Sequence, residues 1–398
     1  MAGGVLYLSY DGMLEPLGQS QVLAYLERLA ADQPIDLISF EKKADWADKV
    51  ARKAIRERCR AAGIRWHPLR YHKRPSAAAT AWDIAAGSAR AAAIALRRRP
   101  SIIHARSYVA GLMGLAAKRA SGAKFLFDMR GFWADERVDG GLWPKGGRLY
   151  RAAKSVEERL LRAADHVITL THASAEELLN FPAVKEHKPP ITVIPTCADL
   201  DRFRPLDAPK EGPFTLGYVG SIDHWYRLDD KLRCYAELLC RQPDARLLLV
   251  TRGDHRKIRK RARDLDVRTE RIETIAADLS EVPELIRQMD AAMALYDSSY
   301  SRIACAPTKL GEYLGCGVPC LGSAGVGDMQ EILDSREVGI TLHSSDDGAI
   351  AAAITELVDL ADDPHIAARC RKAAVDLFSL DEGAREYRSV YASLSRQS

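Results

Sequence analysis

The sequence predicts an α/β protein made of two Rossmann-like halves. Short apolar runs typical of buried strands alternate with helical segments through the first half, and the same alternation restarts near residue 214. Strands separated by helices in this way indicate parallel sheets covered on both faces. The join over 180–213 carries seven prolines, a density that suits an ordered link able to hinge. We predict domains over 1–195 and 196–377, followed by a C-terminal segment over 378–398.

The predicted elements follow one another in a regular order. Each strand is a short run rich in aliphatic and aromatic residues, and each helix carries apolar residues at helical spacing. In the first half, strands are predicted at 5–9, 35–40, 64–68, 101–105, 124–128, 167–171 and 191–195, and helices at 21–31, 46–62, 76–98, 108–120 and 147–164. In the second half, strands are predicted at 214–219, 246–250, 271–275, 291–296, 318–321 and 338–342, and helices at 228–241, 255–265 and 281–289 before a helix-rich end.

The composition is that of an ordinary globular protein, with 398 residues, 47% hydrophobic and 28% charged. No run of about 18 apolar residues occurs, so we expect no transmembrane helix. The apolar start over 4–10 lacks a preceding positive segment and a cleavage site, so we expect no signal peptide. The eight cysteines form no C-x2-C pair, which favours free thiols over a disulfide framework or a metal site. We therefore expect a cytoplasmic protein without a bound metal.

Positive charge is concentrated near the N-terminus. Residues 41–74 hold twelve Lys and Arg against four Asp and Glu, with Trp46, Trp66 and Tyr71 among them. One interpretation is a solvated helix face. The other is a patch that contacts anionic lipid headgroups or a phosphate-bearing acceptor, which would place the protein at the inner face of the cell membrane. Nucleic acid is a less favoured partner, because no nucleic-acid-binding motif accompanies the charge.

The stretch over 305–322, CAPTKLGEYLGCGVPCLG, is the most informative part of the sequence. Pro307 and Thr308 end an extended segment, and Thr308 is placed either to cap the next helix or to bind phosphate. The helix start offers N–H groups and Lys309 to an anion, and Glu312 lies about one turn further on, where it can accept hydrogen bonds from hydroxyls. Together these residues indicate a nucleotide-sugar site; the simpler alternative is a surface Lys–Glu pair.

This stretch resembles the donor-site segment of retaining glycosyltransferases with the GT-B fold, in particular family 4. The family usually reads E-x7-E, and Glu312 takes the second Glu position with Gly317-Val318-Pro319 at the expected distance. Ala304 stands at the first Glu position, and the chain is instead similar to a sub-group with a P-T-K-x-x-E-Y motif. The resemblance implies that Glu312 holds the ribose hydroxyls. It also implies two domains facing a cleft, nucleotide on the second and acceptor on the first, with a last helix crossing back to the first.

The turn after the 214–219 strand departs from the family pattern. Family members commonly place an Arg directly after the glycine and a Lys about six residues later, and both bind the departing diphosphate. Here Ser221 follows Gly220, and we expect both residues to line the donor site. A cation is needed where no metal assists, because the leaving diphosphate gains negative charge in the transition state. The candidate cations are Lys309, Arg227, Lys231, Arg252 and Arg302, with a surface charge as the alternative for Arg252.

Two glycine-containing loops are further candidates for donor binding. Gly327 and Asp328 follow the motif strand, where a glycine lets the backbone approach a ligand; an ordinary turn with Asp328 as a helix cap is the alternative. In the first half, Gly18 lies in a loop that resembles the family's glycine-rich first loop, whose N–H groups face the donor phosphate and the acceptor.

Polar residues at two strand ends of the first half are candidates for acceptor chemistry. Many family members have a His near the transferred sugar where this chain has Arg130, so Arg130 is expected to contact donor or acceptor. Asp135 and Glu136 are candidates for binding acceptor hydroxyls or for base chemistry, Trp133 for stacking on a sugar ring, and Arg106 for acceptor binding. The alternative is a structural turn held by an Arg–Asp pair.

The resemblance implies transfer of a sugar, with retained configuration, from a nucleoside-diphosphate sugar to a hydroxyl of a glycan or a polyprenyl-linked glycan. The expected path is a front-face displacement in which the leaving phosphate helps to deprotonate the acceptor, without a metal or other cofactor, since no Asp-x-Asp motif is present. A nucleotide-sugar 2-epimerase of the same fold and a non-catalytic glycan- or nucleotide-binding protein are the alternatives.

Overall fold

The computed structural model describes residues 3–206, 210–222 and 226–396. It divides into two compact units: Met1–Pro195 with Leu380–Ser398, and Thr196–Ser379. The chain thus passes between the units after Pro195 and again after Ser379. Within the second unit these two passages are joined, because Ala198 N–H donates to Phe378 O at 2.8 Å.

The first unit is built on a seven-stranded parallel sheet in the order β3-β2-β1-β4-β5-β6-β7. Pro68 is tolerated in β3 because that strand lies at the sheet edge. The strands are β1 Val5–Ser9, β2 Ile35–Glu41, β3 Ile64–Arg70, β4 Ile102–Arg106, β5 Lys124–Asp128, β6 His166–Thr169 and β7 Ile191–Val193. The helices are α1 Pro16–Gly18, α2 Ala24–Leu29, α3 Lys43–Ala47, α4 Lys49–Ala61, α5 Ser76–Arg98, α6 Ser107–Ser121, α7 Trp133–Asp139, α8 Arg148–Ala163, α9 His172–Leu178, α10 Pro182–His187 and α18 Leu380–Arg396.

The second unit is built on a six-stranded parallel sheet in the order β10-β9-β8-β11-β12-β13. The strands are β8 Thr215–Val219, β9 Arg246–Val250, β10 Ile272–Ile275, β11 Ala291–Ala294, β12 Cys320–Ser323 and β13 Gly339–Leu342. The helices are α11 Leu228–Arg241, α12 His255–Asp264, α13 Val282–Ile286, α14 Thr308–Gly315, α15 Met329–Arg336, α16 Asp347–Ala361 and α17 Ile366–Phe378. A 3-10 turn, Tyr300–Ala304, precedes α14.

The fold-class prediction is confirmed, since both sheets are parallel and covered by helices. The expected helix over 46–62 is broken into α3 and α4, because the Asp48 carboxylate caps α4 by accepting from Val50 N–H and Ala51 N–H, each at 2.9 Å. The segment after β5, expected to be a loop, contains α7. In the described residues, no helix combines the length and the apolar character needed to cross a bilayer.

The strand order indicates where a ligand can bind at each sheet. Chain direction across the sheet reverses between β1 and β4 in the first unit, and between β8 and β11 in the second. Ligands of doubly wound sheets bind outside the carboxyl ends of the strands at such switch points. In the first unit these ends carry Ser9 and Arg106, and in the second Val219 and Ala294.

Candidate functional site

The second-unit site begins at the N-terminus of α14. Pro307, with φ −66° and ψ 116°, occupies the N-cap position, and Thr308 is the first helical residue. The prediction that Thr308 caps this helix is therefore wrong, since the cap has no side-chain hydrogen bond. The first backbone hydrogen bond of the helix runs from Leu310 N–H to Pro307 O, at 3.0 Å. The N–H groups of Thr308 and Lys309 precede it and have no acceptor in the described chain. Free N–H groups at a helix start favour an anion.

Tyr313 fixes α14 against the sheet. Its hydroxyl accepts from Val219 N–H at 2.8 Å and lies 3.4 Å from Met293 O, so one buried side chain joins α14 to the ends of β8 and β11. On the opposite side Gly311 packs so closely that a Cβ there would lie 2.9 Å from Phe378 Cβ on α17. Gly317, at φ 81°, lets the chain turn out of the helix into β12. The sequence motif thus holds the start of α14 at the switch point.

Lys309 projects a buried amine toward the end of β8. Its Nζ lies 4.2, 5.0 and 5.3 Å from the ring centres of Tyr218, Tyr226 and Tyr296. This Nζ has no hydrogen-bond acceptor among the described residues. Burial lowers the pKa of Lys309 to about 7, although Glu312 acts to raise it. A buried amine that is surrounded by rings and lacks a hydrogen-bond acceptor can bind an anion.

Lys231, on α11, is a second amine in the same surroundings. It is fully buried, its Nζ lies 4.2 Å from the Tyr218 ring centre, and it too has no acceptor within the described chain. Burial lowers the pKa of Lys231 well below its usual value, and the charge of Lys309 lowers it further. The Tyr218 ring therefore contacts two lysine amines.

Glu312 lies one turn along α14 from Lys309 and is partly buried. Burial raises the pKa of Glu312 to about 7, while the charges of Lys309 and Arg202 act to lower it. No side chain or backbone group of the described residues donates a hydrogen bond to its carboxylate. An unengaged carboxyl group in this position can accept hydrogen bonds from ligand hydroxyls.

An open cavity of about 390 Å³ lies at the ends of β8 and β9. Gly220, at φ 136°, lines it, and a Cβ at this position would lie 2.9 Å from Lys309 Nζ. The backbone conformation therefore favours glycine, and the Lys309 amine lies directly against it. The other lining residues are Val219, Ser221, Val250, Thr251, Arg252, Gly253, Ala277 and Val282.

Two of the three arginines predicted as cations, Arg252 and Arg227, differ in their surroundings. Arg252 lines the cavity with a mostly exposed side chain, which donates to Ala277 O at 3.3 Å and to the Asp278 carboxylate at 2.5 Å. Arg227 lies at the start of α11 and is engaged with Asp230 and the Ser345 hydroxyl. The loop residues before it, 223–225, lie outside the described residues. Arg252 is thus at the cavity, whereas the Arg227 guanidinium is held by protein groups.

The other predicted donor residues are loop positions near α14 and α15. Gly327, at φ 48°, donates its N–H to Arg302 O at 2.9 Å. Asp328 stands at the N-cap of α15, but its side chain makes no cap hydrogen bond. Ala304, at the position of the family's first Glu, is buried at the end of the 3-10 turn.

In the first unit, Gly18 serves close packing. It adopts an ordinary helical conformation, with φ −63°, and a Cβ there would lie 1.9 Å from Gly12 O. The loop around Gly12 is in turn held by the buried Glu41 carboxylate, which accepts from Met13 N–H at 2.9 Å and Leu14 N–H at 3.1 Å. The packing of loop and helix therefore explains the glycine without a ligand.

Arg106 and Arg130 lie at the carboxyl ends of neighbouring strands. Arg106 ends β4, pairs with Asp11, and keeps a buried Nε without an acceptor in the described chain. Arg130 follows β5 in a left-handed conformation, φ 62°, and lies 3.8 Å from the Asp128 carboxylate. Burial acts to lower the pKa of Arg130, but the Asp128 charge together with the hydroxyls of Tyr387, Tyr25 and Tyr7 raises it overall. This contact is the Arg–Asp pair weighed above as a structural alternative.

Asp128 is the centre of a buried polar cluster that receives α18. Tyr387 donates its hydroxyl to the Asp128 carboxylate at 2.9 Å, and Tyr391 contacts His104 Nδ1 through its hydroxyl at 2.7 Å. Burial acts to raise the pKa of Asp128, but Arg130 and His104 lower it overall. The pKa of His104 is lowered by burial, which keeps the imidazole neutral. These contacts hold the last helix on the first unit.

The predicted acceptor residues of α7 are largely engaged with the protein. The Asp135 carboxylate accepts from Tyr150 Oη at 2.9 Å and from Lys154 Nζ at 3.1 Å, so protein donors occupy it. Trp133 packs against Tyr108 and Trp143, with ring centres at 5.6 and 5.3 Å. Glu136 is partly buried in the first turn of α7.

The tyrosines around Lys309 were not predicted as site residues. Tyr218 lies in β8 next to its last residue, and Tyr296 follows β11 by two positions. The only available signal was a tyrosine near the carboxyl end of each of two neighbouring parallel strands, a position that favours ligand contact. Their convergence on one lysine depends on strand order, which the sequence does not state.

Two family models match the sequence. One, described as a glycosyl transferase 4-like domain, matches residues 17–197, and the other, described as glycosyl transferases group 1, matches residues 213–360. The chain joins a glycosyl transferase 4-like domain to a glycosyl transferases group 1 domain. The family prediction is confirmed at this level, and the P-T-K-x-x-E-Y sub-group stays a prediction. Comparison with curated protein sequences gives no match.

Several solved structures share the fold of this glycosyltransferase. A glycosyltransferase from Rickettsia africae ESF-5 aligns over 100% of both chains, with a TM-score of 0.70 and 15% identity. Alr3699/HepE from Anabaena, in complex with UDP-glucose, aligns over 98% of this chain and 99% of its own, with a TM-score of 0.69 and 15% identity. A Listeria monocytogenes protein provisionally assigned as a UDP-N-acetylglucosamine 2-epimerase aligns over 100% and 98%, with a TM-score of 0.63 and 13% identity. At these identities the likeness shows the fold alone.

Proposed function

We propose that this glycosyltransferase takes its sugar from a nucleoside-diphosphate sugar bound at the second unit. The observation that carries the proposal is the buried, unpaired amine of Lys309 beside Gly220 and the free N–H groups of α14. A positive group and a helix N-terminus that both lack an acceptor in the described residues suit a diphosphate. Glu312, one turn away and unengaged, suits the ribose hydroxyls.

The proposed reaction retains the configuration of the transferred sugar. Departure of the nucleoside diphosphate is assisted by Lys309, by the dipole of α14 and by Arg252 at the cavity edge, because negative charge grows on the leaving oxygens. The leaving phosphate helps to remove the acceptor proton in a front-face displacement. These positive groups would neutralise the leaving diphosphate, which a metal ion does in other transferases. We therefore propose that transfer needs no metal.

The proposed acceptor is a hydroxyl of a glycan or a polyprenyl-linked glycan, as in surface polysaccharide synthesis. Arg106 and Arg130, at the carboxyl edge of the first sheet, are the residues of the first unit that we assign to substrate contact. Trp133, Asp135 and Glu136 remain candidates of lower weight, because Asp135 is already held by Tyr150 and Lys154. We also propose that the basic segment 41–74 lets the protein bind an anionic membrane surface.

The donor proposal is tested by thermal shift with a panel of UDP-, GDP- and dTDP-sugars. A ligand at about 100 times its Kd stabilises by about 2.7 kcal/mol, which corresponds to an increase of several degrees in Tm. We expect one nucleotide class to give this shift and Glu312→Ala to abolish most of it. The matched control is Glu356→Ala, which removes an exposed carboxylate of the same unit. Absence of a shift with every donor, or a full shift in Glu312→Ala, would refute the proposal.

A nucleotide-sugar 2-epimerase is the second candidate, supported by the shared fold of the Listeria protein. The two functions differ in what they need, because an epimerase acts on the donor alone. Donor converted without acceptor, with no sugar transferred to a glycan panel, identifies the epimerase. Nucleotide binding without any turnover identifies a non-catalytic binding protein.

A further inference from the structure

Lys231 and Lys309 share one aromatic ring and lack an anionic partner. Both Nζ atoms lie 4.2 Å from the Tyr218 ring centre, and neither finds a hydrogen-bond acceptor among the described residues. Lys231 comes from α11 and Lys309 from α14, so two separate elements deliver the amines to the end of β8. Both buried amines thus contact the same ring, and the charge of Lys309 acts on Lys231.

The groups around this lysine pair do not neutralise it. On α14, Glu312 acts on Lys309 electrostatically without a hydrogen bond. On α11, Lys231 is influenced by Asp230, but that carboxylate is paired with Arg227 and also faces Arg233 at 3.6 Å. Other titratable neighbours are tyrosine hydroxyls and thiols. They include Tyr218, Tyr226 and Cys305, and also Tyr296, Tyr313, Cys234 and Cys320, whose pKa values are raised by burial.

A buried pair of amines without an anionic partner is incompletely protonated, so it can still take up a proton. Holding two ammonium ions in a water-poor site without an anion is costly, so at neutral pH the pair carries less than two positive charges. A diphosphate brings negative charges against both amines and makes the doubly protonated pair favourable. Binding of the anion and binding of a proton are then thermodynamically linked.

We propose that Lys231 and Lys309 form one diphosphate-binding site that fills with uptake of a proton. The proton comes from solvent, adds to the amine that is neutral in the free protein, and leaves both ammonium groups facing the phosphates. Lys231 thereby supplies the second positive charge that the Gly220-Ser221 turn lacks. The inference rests on the proposed function, because it takes the ligand to be a nucleoside diphosphate.

Proton uptake is measured by isothermal titration calorimetry. UDP, GDP and dTDP are titrated into the full-length protein at about pH 8, in buffers of different ionisation enthalpy; the dependence of the observed heat on buffer gives the number of protons. We expect uptake of about one proton per nucleotide, because the diphosphate itself is already ionised at this pH. Affinity should fall about tenfold per pH unit above pH 8, as for any single linked proton.

Variants assign the proton to the lysine pair. Lys309→Met and Lys231→Met should each weaken binding by at least about tenfold, and each should reduce the proton uptake. Lys309→Arg keeps a permanent charge at this position, so it should retain more affinity than Lys309→Met, and any proton uptake that remains then belongs to Lys231. Lys260→Met, on the exposed face of α12, is the matched control and should change neither quantity.

The outcomes separate this inference from the proposed function. Nucleotide binding without proton uptake, or uptake that persists in both methionine variants, overturns the lysine-pair inference and leaves the donor proposal intact. Failure of all three nucleotides to bind the unmodified protein overturns both. The number of protons taken up on binding is measured on the unmodified protein, so the test remains possible even if a variant fails to fold.

Discussion

Lys309 and Glu312 lie one turn apart on α14, and burial moves their pKa values toward about 7 from opposite sides. For Lys309 the folded-state pKa lies below the unfolded value, so the unfolded chain binds more protons between about pH 7 and pH 10.5 and stability rises with pH across that window. For Glu312 the folded-state pKa is raised, so its contribution to stability is lost as pH rises from about 4.5 to 7. Both residues therefore cost the free protein stability near neutral pH, where donor binding needs them.

Replacing Lys309 by Met should stabilise the ligand-free protein while weakening nucleotide binding. Methionine is of similar length and removes a buried amine that has no hydrogen-bond acceptor in the described chain, so the free energy of unfolding at pH 7 should rise by roughly 2 kcal/mol. The gain should shrink as pH rises from about 7 to 10.5, because the lysine becomes neutral in the folded state first and in the unfolded chain only above about pH 10.5. Urea unfolding monitored across this pH range measures it, with Lys260→Met as an unchanged control. A loss of stability at pH 7 would show that the amine is well solvated or paired.

Helix ends and strand ends determine which side chains meet. In the second unit, α14 begins at the switch point between β8 and β11, and Tyr313 bonds it to the end of β8. In the first unit, α18 reaches the carboxyl edge of the sheet through Tyr387 and Tyr391. These tyrosines make buried polar contacts, and loss of one hydroxyl leaves a buried group without its hydrogen-bond partner.

Replacing Tyr387 by Phe should destabilise the first unit selectively. The change leaves the buried Asp128 carboxylate without the hydroxyl that donates to it at 2.9 Å, which costs about 1–3 kcal/mol. We expect a lower Tm for the first unit in calorimetry, with the nucleotide-induced shift of the second unit retained. Arg385→Met, which removes an exposed ion pair with Glu382 from the same helix, should change Tm by little. Equal effects of the two variants would contradict the role of the Asp128 cluster.

The charge of the whole molecule is small, +4, but its exposed basic residues are unevenly placed. On α4 and its flanks, Lys43, Lys49 and Arg60 are exposed and make no ion pair within the described residues. Other charges of the segment are engaged, since Arg58 pairs with Glu27 at 3.0 Å. The segment 41–74 therefore presents unpaired positive charge beside the exposed Val50, which suits an anionic surface.

Binding to vesicles tests this surface on the whole protein. Sedimentation with vesicles containing about 30% anionic lipid should exceed that with neutral vesicles and should fall at high salt, because exposed charges are screened. The triple change of Lys43, Lys49 and Arg60 to Glu should weaken binding by about 1 kcal/mol or more per residue. The matched control changes Lys257, Lys260 and Arg263 on α12 to Glu, which alters the net charge equally. Equal loss in both variants, or insensitivity to salt, would refute a membrane surface at 41–74.

The sequence by itself determined the alternation of strands and helices, and hence the two parallel sheets, because periodicity depends on residues that are neighbours along the chain. It determined the donor motif for the same reason, since Pro307, Thr308 and Lys309 are consecutive. It also placed Lys309 and Glu312 on one helix, one turn apart. Only the tertiary structure decided the partners of these residues. The rings of Tyr218, Tyr226 and Tyr296 surround Lys309 because strand order brings the ends of β8 and β11 together with α14. Lys231 contacts the same Tyr218 ring from α11. Likewise, the sequence offered Gly18 only as part of a loop resembling the family's glycine-rich first loop, and the tertiary structure showed that it packs against Gly12 O. The local sequence pattern specifies helices and strands. Burial and contacts between distant segments determine the protonation state of a side chain and whether a ligand can reach it.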